Sequence, residues 1–258
     1  MENKMMWRYI NLVAALVTIG VNAMATLLPL NGLETGEISD RFEVYFTPAG
    51  YVFSIWGVIY VGWLAFSIYG LTAEGKKNER IDQIGPWFLI SSVANSGWIF
   101  LWHYEYFILS VGVMGVLLAS LLVIYVRLEI GQYIAVGAER WCLDIPFSVY
   151  LGWVTVATIA NITAVLDYVN WGAWGIAPEI WLNIILAVAV AIAVGIRLTR
   201  RDGAYLAVFV WAFAGIATKH ADVTAVAAGA WLATISVALL IVAYLPAVEG
   251  KLPPVFRA

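Results

Sequence analysis

Eight apolar stretches alternate with short polar segments along the 258-residue chain. They lie at residues 7–30, 48–71, 84–102, 107–126, 146–166, 180–196, 204–218 and 224–245. A helix needs about 20 apolar residues to cross a bilayer, and tilt or local thinning accommodates shorter ones such as the seventh stretch. No Asp, Glu, Lys, Arg or His falls in the middle of a stretch. The pattern predicts an all-α, polytopic membrane bundle of eight transmembrane helices.

The distribution of basic residues tests this count independently. If the N-terminus is cytoplasmic, twelve of the 14 Lys and Arg residues fall on the cytoplasmic side. These are Lys4, Arg8, Lys76, Lys77, Arg80, Arg127, Arg140, Arg197, Arg200, Arg201, Lys251 and Arg257. Only Arg41 and Lys219 fall outside. The positive-inside rule therefore predicts cytoplasmic N- and C-termini, and we expect a multi-pass protein of the bacterial inner membrane.

Composition excludes several classes of protein. The chain is 63% hydrophobic and 12% charged, whereas soluble domains carry about 25% charged residues. It has no basic footprint for nucleic acid. A single cysteine, Cys142, excludes an internal disulfide and a metal site built from several thiolates. The first apolar stretch is too long for an ordinary signal peptide, so we interpret it as a retained helix.

Aromatic residues follow one face of the second stretch. Phe53, Trp56, Tyr60 and Trp63 are three or four residues apart, which places them on the same side of a helix. Such a stripe can pack against neighbouring helices or line a pocket for a flat apolar ligand, and both interpretations stay open here. The first outer loop, residues 31–47, is long enough for an amphipathic turn of helix over the outer mouth.

Two further stretches combine aromatic, small and amide side chains on one face. They carry Phe88, Ser91, Asn95, Trp98 and Trp102 in the third stretch, and Tyr150, Trp153, Ala157, Ala160 and Asn161 in the fifth. A buried amide can join two helices through a hydrogen bond worth about 0.6–2 kcal/mol. The same residues also suit a slot for a planar ring, and the pattern does not choose between these roles.

Three of these motifs resemble the tryptophan-rich sensory protein family (TspO), relatives of the mitochondrial translocator protein. The second stretch reads PAGYVFSIWGVIY over residues 48–60, similar to the family pattern P-P-G-W-V-F-x-x-V-W-x-x-L-Y. Asn95 and Trp98 match an Asn and a following Trp on the family's third helix. Residues 150–161, YLGWVTVATIAN, are similar to the fifth-helix pattern. The chain departs from the family at Ala49, Tyr51 and Val149.

The resemblance implies a TspO-like five-helix transmembrane domain at residues 1–170. The remaining residues, 171–258, are expected to form a three-helix transmembrane extension that the motifs do not reach. In the family, a pocket among helices one, two, three and five opens toward the first long loop. Ligands of the family include porphyrins and sterols, and its members act in regulation or transport.

The resemblance therefore implies a membrane-embedded binding or sensory protein for a porphyrin-like or sterol-like ligand. The implied ligand-binding residues are Tyr51, Phe53, Trp56, Tyr60, Asn95, Trp98, Tyr150, Trp153, Ala157 and Asn161. No cofactor is required, and porphyrin enters as a ligand. The expected partners are the lipid bilayer and an apolar small molecule, with no nucleic acid, and a homodimer is one assembly open to the chain.

Other classes of function remain as alternatives. The chain could be a facilitator-type transporter, or a structural subunit of a larger membrane complex. An enzyme is disfavoured because the stretches hold no acid–base or metal constellation. His103 and His220 both lie at outer helix ends, where an axial haem ligand is conceivable, but interfacial histidines are common.

Overall fold

The computed structural model of the protein describes residues 2–28 and 30–243, and all regular elements in these ranges are helical. Eight long helices follow one another: α1 Glu2–Leu27, α2 Ile55–Leu71, α3 Trp87–His103, α4 Phe107–Arg127, α5 Ile145–Tyr168, α6 Pro178–Thr199, α7 Gly203–Lys219 and α8 Thr224–Val242. Short helical turns lie between them, including Thr35–Ser39, which we call the loop helix, Gly50–Ser54 and Glu79–Ile84.

Six helical segments are long and apolar enough to cross a membrane. They are Lys4–Leu27, Gly50–Leu71, Phe107–Arg127, Gly137–Tyr168, Pro178–Thr199 and Thr224–Val242. The α3 and α7 helices have 17 residues each, which is below the usual spanning length of about 20. The prediction of a helical membrane bundle is thus confirmed, and among the described residues six of the eight predicted spans meet the requirements of length and composition.

Helix boundaries follow local chemistry. The predicted third stretch begins at Ile84, but Gly85 has a φ of 49° and separates the Glu79–Ile84 turn from α3. The α7 helix begins after Asp202, whose carboxylate accepts hydrogen bonds from the backbone of Ala204 and Tyr205 at 3.0 and 3.1 Å. The predicted end of the eighth stretch at 245, with Lys251 and Arg257, lies outside the described residues.

Long-range contacts show that successive helices alternate in direction. At one end, which we call the loop-helix end, the segment between α1 and α2 (the first connection) contacts the turn after α3 and the last residues of α5 and α7. Arg41 pairs with Glu105, the Glu43 N–H donates to Asp167, and Asp40 pairs with Lys219. At the opposite end, Arg8 pairs with Asp82, Arg80 with Asp144, and Tyr125 with Asp202. The four connections of the loop-helix end therefore gather on one side of the bundle, and the other three connections gather on the opposite side.

Helices α1 to α5 form a bundle, and α5 joins it to the last three helices. The α1 helix packs on α2 and α3, α4 lies between α3 and α5, and α5 also contacts α2 and α7. The α7 helix in turn packs on α8, and α8 packs on α6. At Gly152 of α5, an added Cβ would lie 3.1 Å from the Tyr205 carbonyl oxygen, so a residue without a side chain permits the close approach of α7.

The α7 helix also holds the turn that leads into α2. The Ala49 N–H donates to the Gly215 carbonyl at 3.1 Å, and the Trp211 indole donates to the Val52 carbonyl at 3.1 Å. The Val52 side chain occupies the space where Gly215 would carry a Cβ. The last three helices are therefore packed directly against the predicted five-helix domain, at the start of its aromatic helix.

Candidate functional site

A cluster of aromatic rings fills the space between α2, α3 and α5. Trp56 lies edge-on to Trp153, with ring centroids 6.2 Å apart, and it stacks on Tyr60 at 5.9 Å. The Trp63 and Tyr150 rings are 4.9 Å apart. Edge-to-face and offset rings at these separations attract one another beyond simple burial. The helical spacing of the stripe on α2 thus produces a mutually packed set of rings.

Within this cluster lies a small cavity of about 30 Å³. Its lining includes six of the predicted ligand-binding residues: Phe53, Trp56, Asn95, Trp98, Trp153 and Ala157. Thr35, Met114, Leu117 and Val154 complete the lining, and the motif comparison did not identify them. Thr35 falls in the loop where an amphipathic turn of helix is predicted, whereas no sequence signal marked Met114 and Leu117 on α4.

The other four predicted residues lie around or beyond this cavity. Tyr60 and Tyr150 belong to the same aromatic cluster without lining the cavity, and Asn161 lies one turn beyond Ala157 on α5. Tyr51 is half exposed, packs its ring on Trp211 of α7 and places its hydroxyl 3.2 Å from the Thr218 hydroxyl. It therefore points away from the cavity, toward the last three helices.

Both predicted amides join helices to one another. The Asn22 amide donates to Asn95 Oδ1 at 2.7 Å, and Asn95 Nδ2 donates to the Tyr150 hydroxyl at 3.3 Å, which ties α1, α3 and α5 together. Asn161 Oδ1 accepts from the Trp98 indole at 3.2 Å, and its Nδ2 donates to Ser110 Oγ at 2.9 Å. Each amide therefore joins helices through hydrogen bonds, which is one of the two roles that the sequence left open.

One polar group at the cavity has no such partner. The Trp153 indole Nε1 is buried and makes no hydrogen bond within the described residues. A buried donor left unpaired costs about 1–3 kcal/mol, and buried indole N–H groups usually find an acceptor. The lining of the cavity therefore combines aromatic faces with a residue whose indole N–H has no acceptor, a combination that suits a planar ligand carrying an acceptor.

The loop helix closes this cavity on the side of the first connection. Thr35 lines the cavity, its carbonyl accepts from the Trp102 indole at 3.2 Å, and its hydroxyl lies 3.0 Å from His103 Nε2. A capping box between Glu34 and Glu37 stabilises the turn itself. Both ring nitrogens of His103 are engaged, since Nδ1 lies 2.9 Å from the Leu30 carbonyl.

A second and larger space lies between α5 and α6, near the loop-helix end. This groove has a volume of about 470 Å³ and is lined mainly by apolar residues. Ile159, Ile162 and Leu166 of α5 face Trp181, Ile185 and Val188 of α6 across it. The groove includes none of the ten predicted ligand-binding residues. Its size lies within the range of about 300–1,000 Å³ that is usual for small-molecule sites.

His220 joins the end of α7 to the first connection. Its Nε2 donates to the Thr47 carbonyl at 3.3 Å, and its ring packs edge-on against Tyr45 at 5.2 Å. Burial lowers the pKa of His220 and the Lys219 ammonium lowers it further, although the bond to Thr47 and the carboxylates of Asp40 and Asp222 act in the opposite direction.

This lowered pKa predicts that acid loosens the contact between α7 and the first connection. The folded state disfavours the protonated imidazole, so stability is complete above the unfolded pKa of 6.5 and declines as pH falls toward the lowered folded value. Hydrogen exchange of the amides of residues 45–54, corrected for intrinsic rates, should therefore rise between about pH 7.5 and about pH 5.5. The change should be absent in His220→Asn, and equal pH dependence in both proteins would contradict the assignment.

Comparison with known proteins agrees with the family resemblance of the aromatic helices. The model of the family described as TSPO-like protein matches residues 8–244, and the match continues through α6, α7 and α8. Searches among curated proteins and among solved structures found no match. The family match covers nearly the whole chain, including the last three helices that the motifs did not reach. The chain therefore belongs to the TSPO-like protein family.

Proposed function

We propose that the protein is a membrane-embedded binding or sensory protein for a flat apolar ligand of the porphyrin or sterol type, with a role in regulation or transport. The observation that carries the proposal is the unpartnered Trp153 indole in a cavity walled by Trp56 and Trp98. Aromatic faces supply stacking area, and the free N–H suits a carbonyl, carboxylate or hydroxyl oxygen on the ligand.

The proposed setting is a bacterial inner membrane crossed eight times, with both termini in the cytoplasm. The alternating direction of successive helices supports this arrangement. Because of it, the 17-residue helices α3 and α7 run alongside helices that are long enough to span a bilayer. A 17-residue helix is about 25 Å long, which modest thinning of the bilayer accommodates. The concentration of Lys and Arg at the end opposite the loop helix supports the orientation.

Binding requires the cavity to open. A volume of about 30 Å³ equals the share of one water molecule in the liquid, far below the volume of any tetrapyrrole or sterol. The loop helix is the element whose displacement would enlarge it, since Thr35 lines the cavity and is held by the Trp102 and His103 side chains. Ligand affinity then includes the cost of breaking these bonds.

The groove between α5 and α6 offers the same ligand a different location. It is already large enough for a drug-sized molecule, and Trp171 and Trp181 supply aromatic faces at its rim. The two locations share no lining residue, so single substitutions distinguish them. Trp153→Leu alters only the cavity, and Trp181→Leu is the matched substitution in the groove.

The test is a titration of the purified protein with protoporphyrin IX, followed by porphyrin absorbance and tryptophan quenching. We expect saturable binding that Trp153→Leu weakens by about two- to tenfold, because an aromatic pair is worth ~0.5–1.5 kcal/mol, while Trp181→Leu binds as the parent does. The reverse pattern would place the ligand in the groove. Absence of saturable binding, or equal affinity in all three proteins, would overturn the proposal for porphyrins.

The alternative, a facilitator or a structural subunit, has less support in the described residues. The α6 and α8 helices expose apolar side chains such as Val188, Leu232 and Leu239, at 55–67% of their surface. Lipid covers such faces in a membrane protein, so they indicate a bilayer and do not identify a protein partner.

A further inference from the structure

A cavity whose lining includes charged side chains lies at the opposite end of the bundle from the loop helix, beneath the start of α1. It has a volume of about 130 Å³ and is lined by Lys4, Trp7, Arg8, Asn11, Ile81 and Asp82. It is separated from the aromatic cluster and shares no residue with it. The volume suffices for a few water molecules or for a phosphate group with a short polar substituent.

Two buried side chains of this cavity have unused hydrogen-bonding atoms. Arg8 is 4% exposed, and its Nη1 and Nη2 atoms donate to the Gly70 and Gly75 carbonyls and to Asp82, which leaves Nε without an acceptor. Asn11 is 2% exposed, and its Oδ1 has no donor in the described part of the chain. Buried polar atoms are nearly always paired, so this donor and this acceptor indicate a ligand or ordered water.

The charges at the cavity favour an anion. Lys4 and Arg8 both pair with the single carboxylate of Asp82, at 2.9 and 2.8 Å, so the charged residues that line the cavity carry one net positive charge. The Lys4 side chain is 59% exposed and stands at the mouth, where it can follow an incoming group. An anionic oxygen would accept from Arg8 Nε and Lys4 Nζ. Asn11 Oδ1 requires a donor, which a hydroxyl on the same ligand would supply.

The surroundings indicate that the anion belongs to a lipid. Trp7 lines the cavity, and tryptophan is enriched where a helix enters the headgroup region. Met6, Tyr9 and Val13 of α1 are 50–59% exposed and offer an apolar surface to acyl chains. We propose that the cavity binds the headgroup of an anionic phospholipid with a free hydroxyl, of which phosphatidylglycerol is the simplest example.

The proposal is tested by thermal unfolding and native mass spectrometry of the full chain with dioleoyl lipids of three kinds. Phosphatidylglycerol has the charge and the hydroxyl, phosphatidylmethanol has the charge alone, and phosphatidylcholine is zwitterionic. We expect affinity in that order, with phosphatidylglycerol favoured over phosphatidylcholine by about fivefold or more, since each basic residue near a membrane surface contributes on this scale.

Two variants separate the roles of charge and hydroxyl. Lys4→Gln should reduce the preference for both anionic lipids, whereas Lys77→Gln, which removes an equal charge from an exposed residue at the same end, should not. Asn11→Leu should abolish only the preference for phosphatidylglycerol over phosphatidylmethanol. The exposed Lys4 can be replaced without disturbing the core, so this arm remains informative if Asn11→Leu fails to fold.

Three results would overturn the proposal. Equal retention of all three lipids would mean that the cavity holds water alone. Equal effects of Lys4→Gln and Lys77→Gln would mean that the preference arises from the general surface charge. Stabilisation by inorganic phosphate or glycerophosphoglycerol that equals and displaces that of phosphatidylglycerol would identify a soluble phosphate compound as the ligand in place of a lipid.

Discussion

Replacing Arg8 with leucine is expected to lower the free energy of unfolding by about 2–3 kcal/mol, because the Gly70 carbonyl loses this donor and the Asp82 carboxylate keeps only the exposed Lys4 as its ion-pair partner. The Arg8 guanidinium is 2.8 Å from Asp82 and 3.0 and 2.9 Å from the Gly70 and Gly75 carbonyls. Burial acts to raise the pKa of Asp82, but the bonds from Arg8 and Lys4 outweigh it and lower the pKa below its ordinary value. The ion pair thus holds the start of α1 to the connection after α2.

The matched control for Arg8 is Arg41, whose ion pair with Glu105 lies at the surface. Side-chain exposures of 48% and 44% allow solvent to screen that pair, so Arg41→Leu should cost no more than about 1 kcal/mol. Chemical or thermal unfolding of the purified proteins in one detergent measures both changes. Similar losses for the two variants would show that Arg8 contributes no more than a surface charge.

Replacing Gly152 with leucine is expected to separate α7 from α5 and to lower the free energy of unfolding by about 1–3 kcal/mol. A Cβ at this position would lie 3.1 Å from the Tyr205 carbonyl oxygen and 3.2 Å from Val208 Cβ. Because the first neighbour is backbone, the α7 helix itself must move. The hydrogen bond of 3.1 Å between the Tyr205 and Thr155 hydroxyls would weaken with it.

Gly115 of α4 provides the control for this substitution. It also lies within a long helix, but it is exposed and a Cβ there would meet nothing within 4 Å. Gly115→Leu should therefore leave stability within about 0.5 kcal/mol of the parent. If Gly152→Leu were equally harmless, the last three helices would be only loosely attached to the first five, as expected of a separate extension.

The sequence by itself determined the helical membrane class and the positions of the helices. Apolar runs and the polar segments between them are local properties, so α4 and α5 begin and end within a few residues of the predicted stretches, and α2 does so together with the Gly50–Ser54 turn before it. The spacing of Phe53, Trp56 and Tyr60 placed these rings on one face because helical periodicity requires it. Short motifs on three helices also identified the family, which the match over residues 8–244 shows.

Only the tertiary structure decided what these faces contact. The sequence left Asn95 open to packing or to ligand binding, and its bonds depend on Asn22 and Tyr150, which are distant in the chain. Likewise, the aromatic rings that could wall a pocket pack against one another and leave about 30 Å³. Cavity volume depends on how side chains from several helices fill a shared space, which no single stretch encodes.

Tertiary contacts also determine how α7 packs against α5 and why Arg8 Nε has no acceptor. Gly152 and Gly215 permit a close approach only because backbone or side chains of other elements occupy the space beside them. In the sequence, Arg8 is one of several basic residues predicted to lie on the cytoplasmic side. The fold buries it beside two carbonyls and Asp82. Hydrophobic periodicity determines which residues enter the membrane, while the partners of each buried polar group follow from contacts between distant segments.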